Sequence, residues 1–247
     1  GVTRVRQLSG GVPCFAAPSG TMMVQFEDMS LIGPESWGSE SVGLYYGKDA
    51  STGSHHLLKN LEIKGFRSGL RTWQCAFFTA QNCMVWKNAR GYELGNNTDG
   101  LHIIGGRVSD NILRGGASGA GLLLGWTDAT HSPGVVTENN RIQIDGGVKF
   151  GGNDVSFDFS DYWSGPVKVS AYFENETKIA WLGDGVTTSF SKLIEFDNSY
   201  FTVLSANTQI EARNPTTAVG SIAIRRCRTD SADIAGGFLK VGQDISV

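Results

Sequence analysis

Four aspartates recur at nearly the same interval behind a glycine: Asp49 six residues after Gly43, Asp99 eight after Gly91, Asp128 seven after Gly121 and Asp154 seven after Gly147. They fall in the connections KDASTGSHH (48–56), NNTDG (96–100), WTDATHSPG (126–134) and GGND (151–154). If successive repeats stack like paired strands, about 4.8 Å apart, carboxylates one repeat apart stand roughly 5 Å from each other and two repeats apart roughly 10 Å. Those separations bracket the ~5–5.5 Å and ~6.5–9.5 Å of the two carboxylate geometries that hydrolyse a glycosidic bond. Mutual repulsion would also raise one pKa and keep that member a proton donor. Asp99 and Asp128 form the sharpest such pair. Trp73 and Trp126 lie in connections of the same phase, where an indole can stack on a sugar ring, and His131 can donate a hydrogen bond or shuttle a proton. Two other readings stay open: Asp is favoured in turns for backbone hydrogen bonding alone, and it ligates calcium.

A second constellation is FDFSDYWSGP, which places Asp158 and Asp161 at a strand end and Tyr162 and Trp163 in a turn before Gly-Pro. The carboxylates are the second choice for catalysis. The aromatics suit either carbohydrate binding or a subunit interface. Elimination rather than hydrolysis would need a cation to neutralise a uronate and a base beside it, and His131 with Arg107 or Arg114 is the arrangement available. Trp86 and Trp181 fall within strands and are expected to pack. No metal site is expected, because His55 and His56 point to opposite faces of an extended segment and His102 and His131 lack a third ligand. Cys14, Cys75, Cys83 and Cys227 form no CxxC pair, and the glycines at 116, 119 and 121 do not follow the dinucleotide fingerprint, so no cofactor is expected either.

The elements that must position these residues repeat along the chain. An Asn or Asp precedes a short apolar strand at Asp28-MSLIG, Asn60-LEIKG, Asn82-CMVWKN, Asn111-ILRGG and Asn140-RIQIDG. A glycine then heads a second strand at Gly43-LYYG, Gly69-LRTW, Gly91-YELG, Gly121-LLLG and Gly147-VKFG. A third apolar segment, such as HLLK or CAFFTAQ, leads into the next repeat. Three short strands per repeat predict an all-β chain wound as a parallel β-helix of about seven to nine coils. Asn tolerates a left-handed corner and its amide can bond to the same residue one coil away, while Gly supplies positive φ or room for close approach. Residues 1–21, with Pro13 and Pro18, read as an irregular lead-in that caps the first coil, and 22–247 as one β-helix domain.

Composition agrees. Of 247 residues 33 are Gly and only 6 Pro, which excludes collagen, argues against a disordered linker and points to a fold with very many turns. A net charge of −3 removes the general case for nucleic acid, and the longest apolar stretch, around Gly119 to Trp126, is too short to insert in a membrane. A chain that starts at Gly1 is expected to be part of a longer one.

The Asn-x-Ile-x-x-Gly coils, the irregular period and the wealth of Gly, Asn and aromatics resemble the pectate-lyase-like right-handed parallel β-helix superfamily, most of all the β-helical body of a bacteriophage tailspike. The resemblance covers roughly residues 22–230 and includes no catalytic motif. It implies a homotrimer carried on the virion that binds, and often depolymerises, bacterial surface polysaccharide such as capsule or O-antigen. A non-catalytic adhesin or stalk and a secreted polysaccharide lyase are the alternatives on this scaffold.

Overall fold

The structure is a computed structural model that describes residues 3–17, 23–35, 41–47, 54–95, 98–112, 119–124, 141–159, 165–182, 192–202, 209–212, 220–230, 239–241 and 245–246. All regular elements among them are strands, wound as a right-handed parallel β-helix with three faces. One coil is Ser54–Lys59 on the first face, Glu62–Lys64 on the second and Ser68–Thr72 on the third. The next, Ala76–Gln81, Met84–Trp86 and Arg90–Leu94, lies in parallel register with it: Leu58 is opposite Ala80, Ile63 opposite Val85 and Leu70 opposite Tyr92. Eight coils among the described residues carry all three strands, within the expected range. Within the expected lead-in, Thr3–Arg6 already pairs with Met29–Ile32, and Phe15–Ala17 with Val42–Tyr46.

Alternation sends every second side chain inward, and parallel register stacks like on like. The inward column of the second face runs Leu31, Ile63, Val85, Val108, Phe150, Phe173, Phe201, all buried. Its phenylalanines stack at 5.3 Å (Phe150–Phe173) and 5.1 Å (Phe173–Phe201). Burying each such side chain contributes about 1.5–3 kcal/mol.

The corners are where sequence and structure diverge. At the first corner, between the first and second faces, Asp28, Asn60, Asn82 and Asn198 hold left-handed backbone with φ of 51–53°. That conformation costs most L-residues about 1–2 kcal/mol and is visited most readily by Gly, Asn and Asp. Asn111, expected in the same column, sits instead at the second corner, between the second and third faces, and Asn140 lies outside the described residues. The true amide ladder is Asn88, Asn111 and Asn153, all buried. Asn111 Nδ2 donates to Asn153 Oδ1 at 2.9 Å and to the Val85 carbonyl at 3.3 Å, while Asn88 donates to Asn111 Oδ1 at 3.2 Å through its backbone N–H and at 3.4 Å through Nδ2.

Gly43, Gly69, Gly91 and Gly121 do form one column. Their φ values are ordinary; the requirement is space, because a Cβ on Gly91 would stand 2.6 Å from the Gly121 carbonyl oxygen and one on Gly69 2.8 Å from that of Gly91. Gly147 is not in this column. It lies at the first corner inside the long strand Ile142–Gly151, and Ser156 takes the fifth place. At the third corner, which leads into the next coil, the left-handed position falls to His55, Phe77, Gly100 and Arg141, with φ of 72°, 53°, 75° and 58°.

The amide ladder ends on a carboxyl group. Asn153 Nδ2 donates to Glu176 Oε1 at 3.0 Å, and Glu176 is buried. Burial raises its pKa from 4.5 to about 8; the Ser156 hydroxyl and the Asn153 amide offset only part of that penalty, and Asp110 adds to it. The protonated acid can donate to the Ser156 hydroxyl oxygen, which is otherwise buried without a partner. Because the folded pKa lies above the unfolded one, the stability this group contributes is complete below about pH 4.5 and is lost as pH rises through about 8, an effect on the order of 5 kcal/mol. Glu176→Gln keeps a neutral ladder end. Urea unfolding of this variant is expected to show none of the decline that the parent protein shows between about pH 5 and 8.

Candidate functional site

The third face carries charge on its outer side, yet it is closed. Strands VGLYY, SGLRT, RGYEL, AGLLL and VSFDF are buried almost throughout, on both sides. Their outward row runs Tyr45, Arg71, Glu93, Leu123, Asp158, Trp181. Val42, Tyr45, Trp73, Ala120 and Leu123 form a second apolar cluster on this outer side. Beside it Arg71 Nε donates to Glu93 Oε2 at 2.6 Å, Arg90 pairs with Oε1, Ser68 donates to Oε2, and the Arg71 guanidinium lies 5.6 Å from the Tyr45 ring. Burial alone would raise the Glu93 pKa, but Arg71, Arg90 and Ser68 override it and bring the value to about 2. Glu93 is therefore a fixed anion and no proton donor. Glu93→Gln leaves Arg71 and Arg90 without their anion and is expected to destabilise by about 3–5 kcal/mol, read as a lower urea midpoint.

The expected aspartate column does not exist as one line. Asp99 heads the first-face strand Asp99–Ile104 at the third corner, opposite Ala76. Asp154 lies at the second corner, where its Oδ2 accepts from the Gly119 backbone N–H at 2.8 Å. The counting failed because Gly147 belongs to another corner than Gly91 and Gly121. Asp49, Asp128, Asp161, Trp126, His131, Tyr162, Trp163 and Arg114 lie outside the described residues. Trp73 is only 7% exposed and packs in the outer cluster, so it is no stacking surface for a sugar, and Asp158 is 9% exposed between Leu123 and Trp181. Arg107 is exposed on the second face. His102 Nε2 lies 3.0 Å from Asp145 Oδ2 on the outer side of the first face. Among the described residues no three His, Cys, Asp or Glu side chains gather as metal ligands.

The open surface is the second face and the corner after it. Three residues separate Lys64 from Ser68 and three separate Trp86 from Arg90, whereas nine separate Ile32 from Val42 and ten separate Ser109 from Ala120. Two short corners thus lie between two long connections, and a cleft of about 420 Å³ runs over them, lined by Ile32, Glu35, Lys64, Gly65, Lys87, Asn88, Asp110 and Ile112. Each ladder amide is preceded by a left-handed residue, Lys87, Asp110 and Gly152 in turn, so the side chains of Lys87 and Asp110 stand one coil apart along this corner. The Lys64 and Lys87 ammonium groups lie 4.9 and 4.5 Å from the Trp86 ring. Glu62 accepts from Lys64 at 2.8 Å and from Trp86 Nε1 at 3.1 Å. Burial works to raise the Glu62 pKa, but these bonds and one from Ser30 outweigh it and hold the carboxyl below its usual range. Further along the face Lys149 Nζ lies 5.2 Å from the Tyr172 ring and pairs with Glu174, and Tyr172 stacks on Tyr200 at 5.3 Å. Trp86, expected to pack inside, is a half-exposed outward residue. The signal for it was the alternation in Glu62-Ile-Lys and Met84-Val-Trp, which buries only the middle residue.

No protein-family model matches the chain, and no curated protein matches it. Among solved structures it is similar to an alginate lyase from Paenibacillus sp. str. FPU-7, with a TM-score of 0.54 and 11% identity over 92% of this chain and 89% of that one. At that identity the likeness is one of fold. The parallel β-helix of this chain is an architecture that a polysaccharide lyase also uses.

Proposed function

We propose that the protein binds an acidic polysaccharide along its second face and the adjoining cleft and cleaves it by β-elimination. The observation that carries this reading is the pairing of cations with aromatic rings on an open surface: Lys64 and Lys87 with Trp86, then Lys149 with Tyr172. An indole or phenol face takes the apolar side of a sugar, and an ammonium beside it takes a carboxylate. Lys87 carries no ion pair among the described residues, so its charge is available to neutralise a uronate. Neutralisation makes the C5 proton acidic; a base removes it, the C4–C5 double bond forms, and the C4–O bond breaks with protonation of the leaving oxygen. The shared fold makes alginate the first polymer to try. Alginate and polygalacturonate digests followed by the ultraviolet absorbance of unsaturated ends are expected to be positive with at least one polymer. Lys87→Gln and Trp86→Ala are expected to lower the affinity by roughly tenfold each.

Hydrolysis through Asp99 and Asp128, in a trimeric tailspike body on a virion, is the competing proposal. It rests on the place of Asp99 at the third corner, at the head of a first-face strand. New reducing ends without unsaturation, from a particle with the mass of three chains, would establish it in place of elimination.

A further inference from the structure

We propose a second carbohydrate subsite at the third corner, in which the Phe77 ring, backed by His55, receives the apolar face of a sugar and Arg141 receives a carboxylate. The subsite rests on the reading of the ligand as an acidic polysaccharide but not on the cleft. Its starting point is a contradiction between conformation and residue type. The left-handed position at the first corner is filled by Asp28, Asn60, Asn82 and Asn198, types that tolerate it, and by a bulky residue in the last described coil, Arg226. The equivalent position at the third corner is filled in four successive coils by His55, Phe77, Gly100 and Arg141. A bulky residue with φ of 53°, as at Phe77, is an outlier, and Gly100 demonstrates that glycine fits the same turn.

The strain is not repaid inside the core. His55, Phe77 and Arg141 are exposed, Phe77 to 42%. Strained backbone that holds exposed side chains is the pattern of a binding surface. The His55 and Phe77 rings stack at 5.2 Å with an interplanar angle of 10°, which makes a flat platform one coil longer than a single ring. The Phe77 ring leans over Gly100, where a Cβ would stand 2.8 Å from Phe77 Cδ1. Glycine there clears the space on which the ring lies.

Arg141 follows at the same corner two coils beyond Phe77, roughly 10 Å along the axis, and makes no ion pair among the described residues. A guanidinium presents a fork of donors that matches a carboxylate. Ring platform and fork two coils apart suit alternate units of a uronate polymer, one stacked and the next but one paired.

The test is calorimetric titration of the full chain with a short alginate oligosaccharide and with a neutral cello-oligosaccharide. Phe77→Gly is expected to weaken alginate binding by roughly tenfold while the melting temperature holds or rises by about 2–4 °C, because glycine relieves the turn. Arg141→Gln is expected to weaken alginate binding and leave any neutral binding as it was. If Phe77→Gly is more stable and binds like the parent protein, or if the parent binds no alginate oligosaccharide, the subsite is overturned. Failure of the elimination reading has a different signature: no unsaturated ends appear, yet Phe77→Gly and Arg141→Gln still lose affinity. Unsaturated ends with indifferent variants would remove the subsite and leave elimination in place.

Discussion

Asn88, Asn111 and Asn153 fix the spacing of the coils more strictly than any apolar contact does. An apolar column tolerates a slide of an ångström or so, but an amide buried in that column must find both its donors and its acceptor partners in the coils on either side. Each of these asparagines also sets what precedes it. The residue before each inward amide holds left-handed backbone; before Asn153 it is Gly152, and before Asn88 and Asn111 it is a charged residue that lines the cleft, Lys87 and Asp110. The interior ladder therefore dictates the one-coil spacing of charges in the cleft. Where the ladder meets Glu176 the same constraint requires a neutral acid, which ties the helix to protonation.

The two charged surfaces of the molecule have opposite characters. On the third face Glu93 is enclosed by Arg71, Arg90 and Ser68, both its oxygens accept hydrogen bonds within the protein, and an apolar cluster lies beside it. Such a network gives specificity of fold and offers little to a ligand. On the second face the ion pairs are half exposed and lie against aromatic rings at the surface. Charge that is not buried, next to aromatic rings at the surface, is what a hydrated anionic polymer can exchange its water for.

Much of the fold was legible in the sequence because it depends on local alternation. The strands around Leu44, Leu70, Tyr92 and Leu122 and the glycines that head them were correctly aligned, since steric need at Gly43, Gly69, Gly91 and Gly121 leaves the same mark in every coil. What local pattern cannot carry is the corner to which a residue belongs. Paired residues are 22 apart at Ile63 and Val85 but 42 apart at Val108 and Phe150, so a count along the chain drifts from one corner to the next. That drift merged Asn60 and Asn82 with Asn111, and Asp99 with Asp154. Alternation also gives the parity of a side chain without saying whether its outer side is covered. Trp73 and Trp86 were exchanged for that reason: the first lies outside the barrel but under an apolar cluster, the second outside and open.

The claim on which the functional account turns is that the ligand lies on the second face and its corner cleft, and not on the enclosed third face. A crystal structure of the protein soaked with an alginate oligosaccharide tests it directly. The account requires sugar density against Trp86 with a carboxylate at Lys87. Density over the Arg71–Glu93 row, with the Val42–Tyr45–Trp73 cluster displaced, would contradict it.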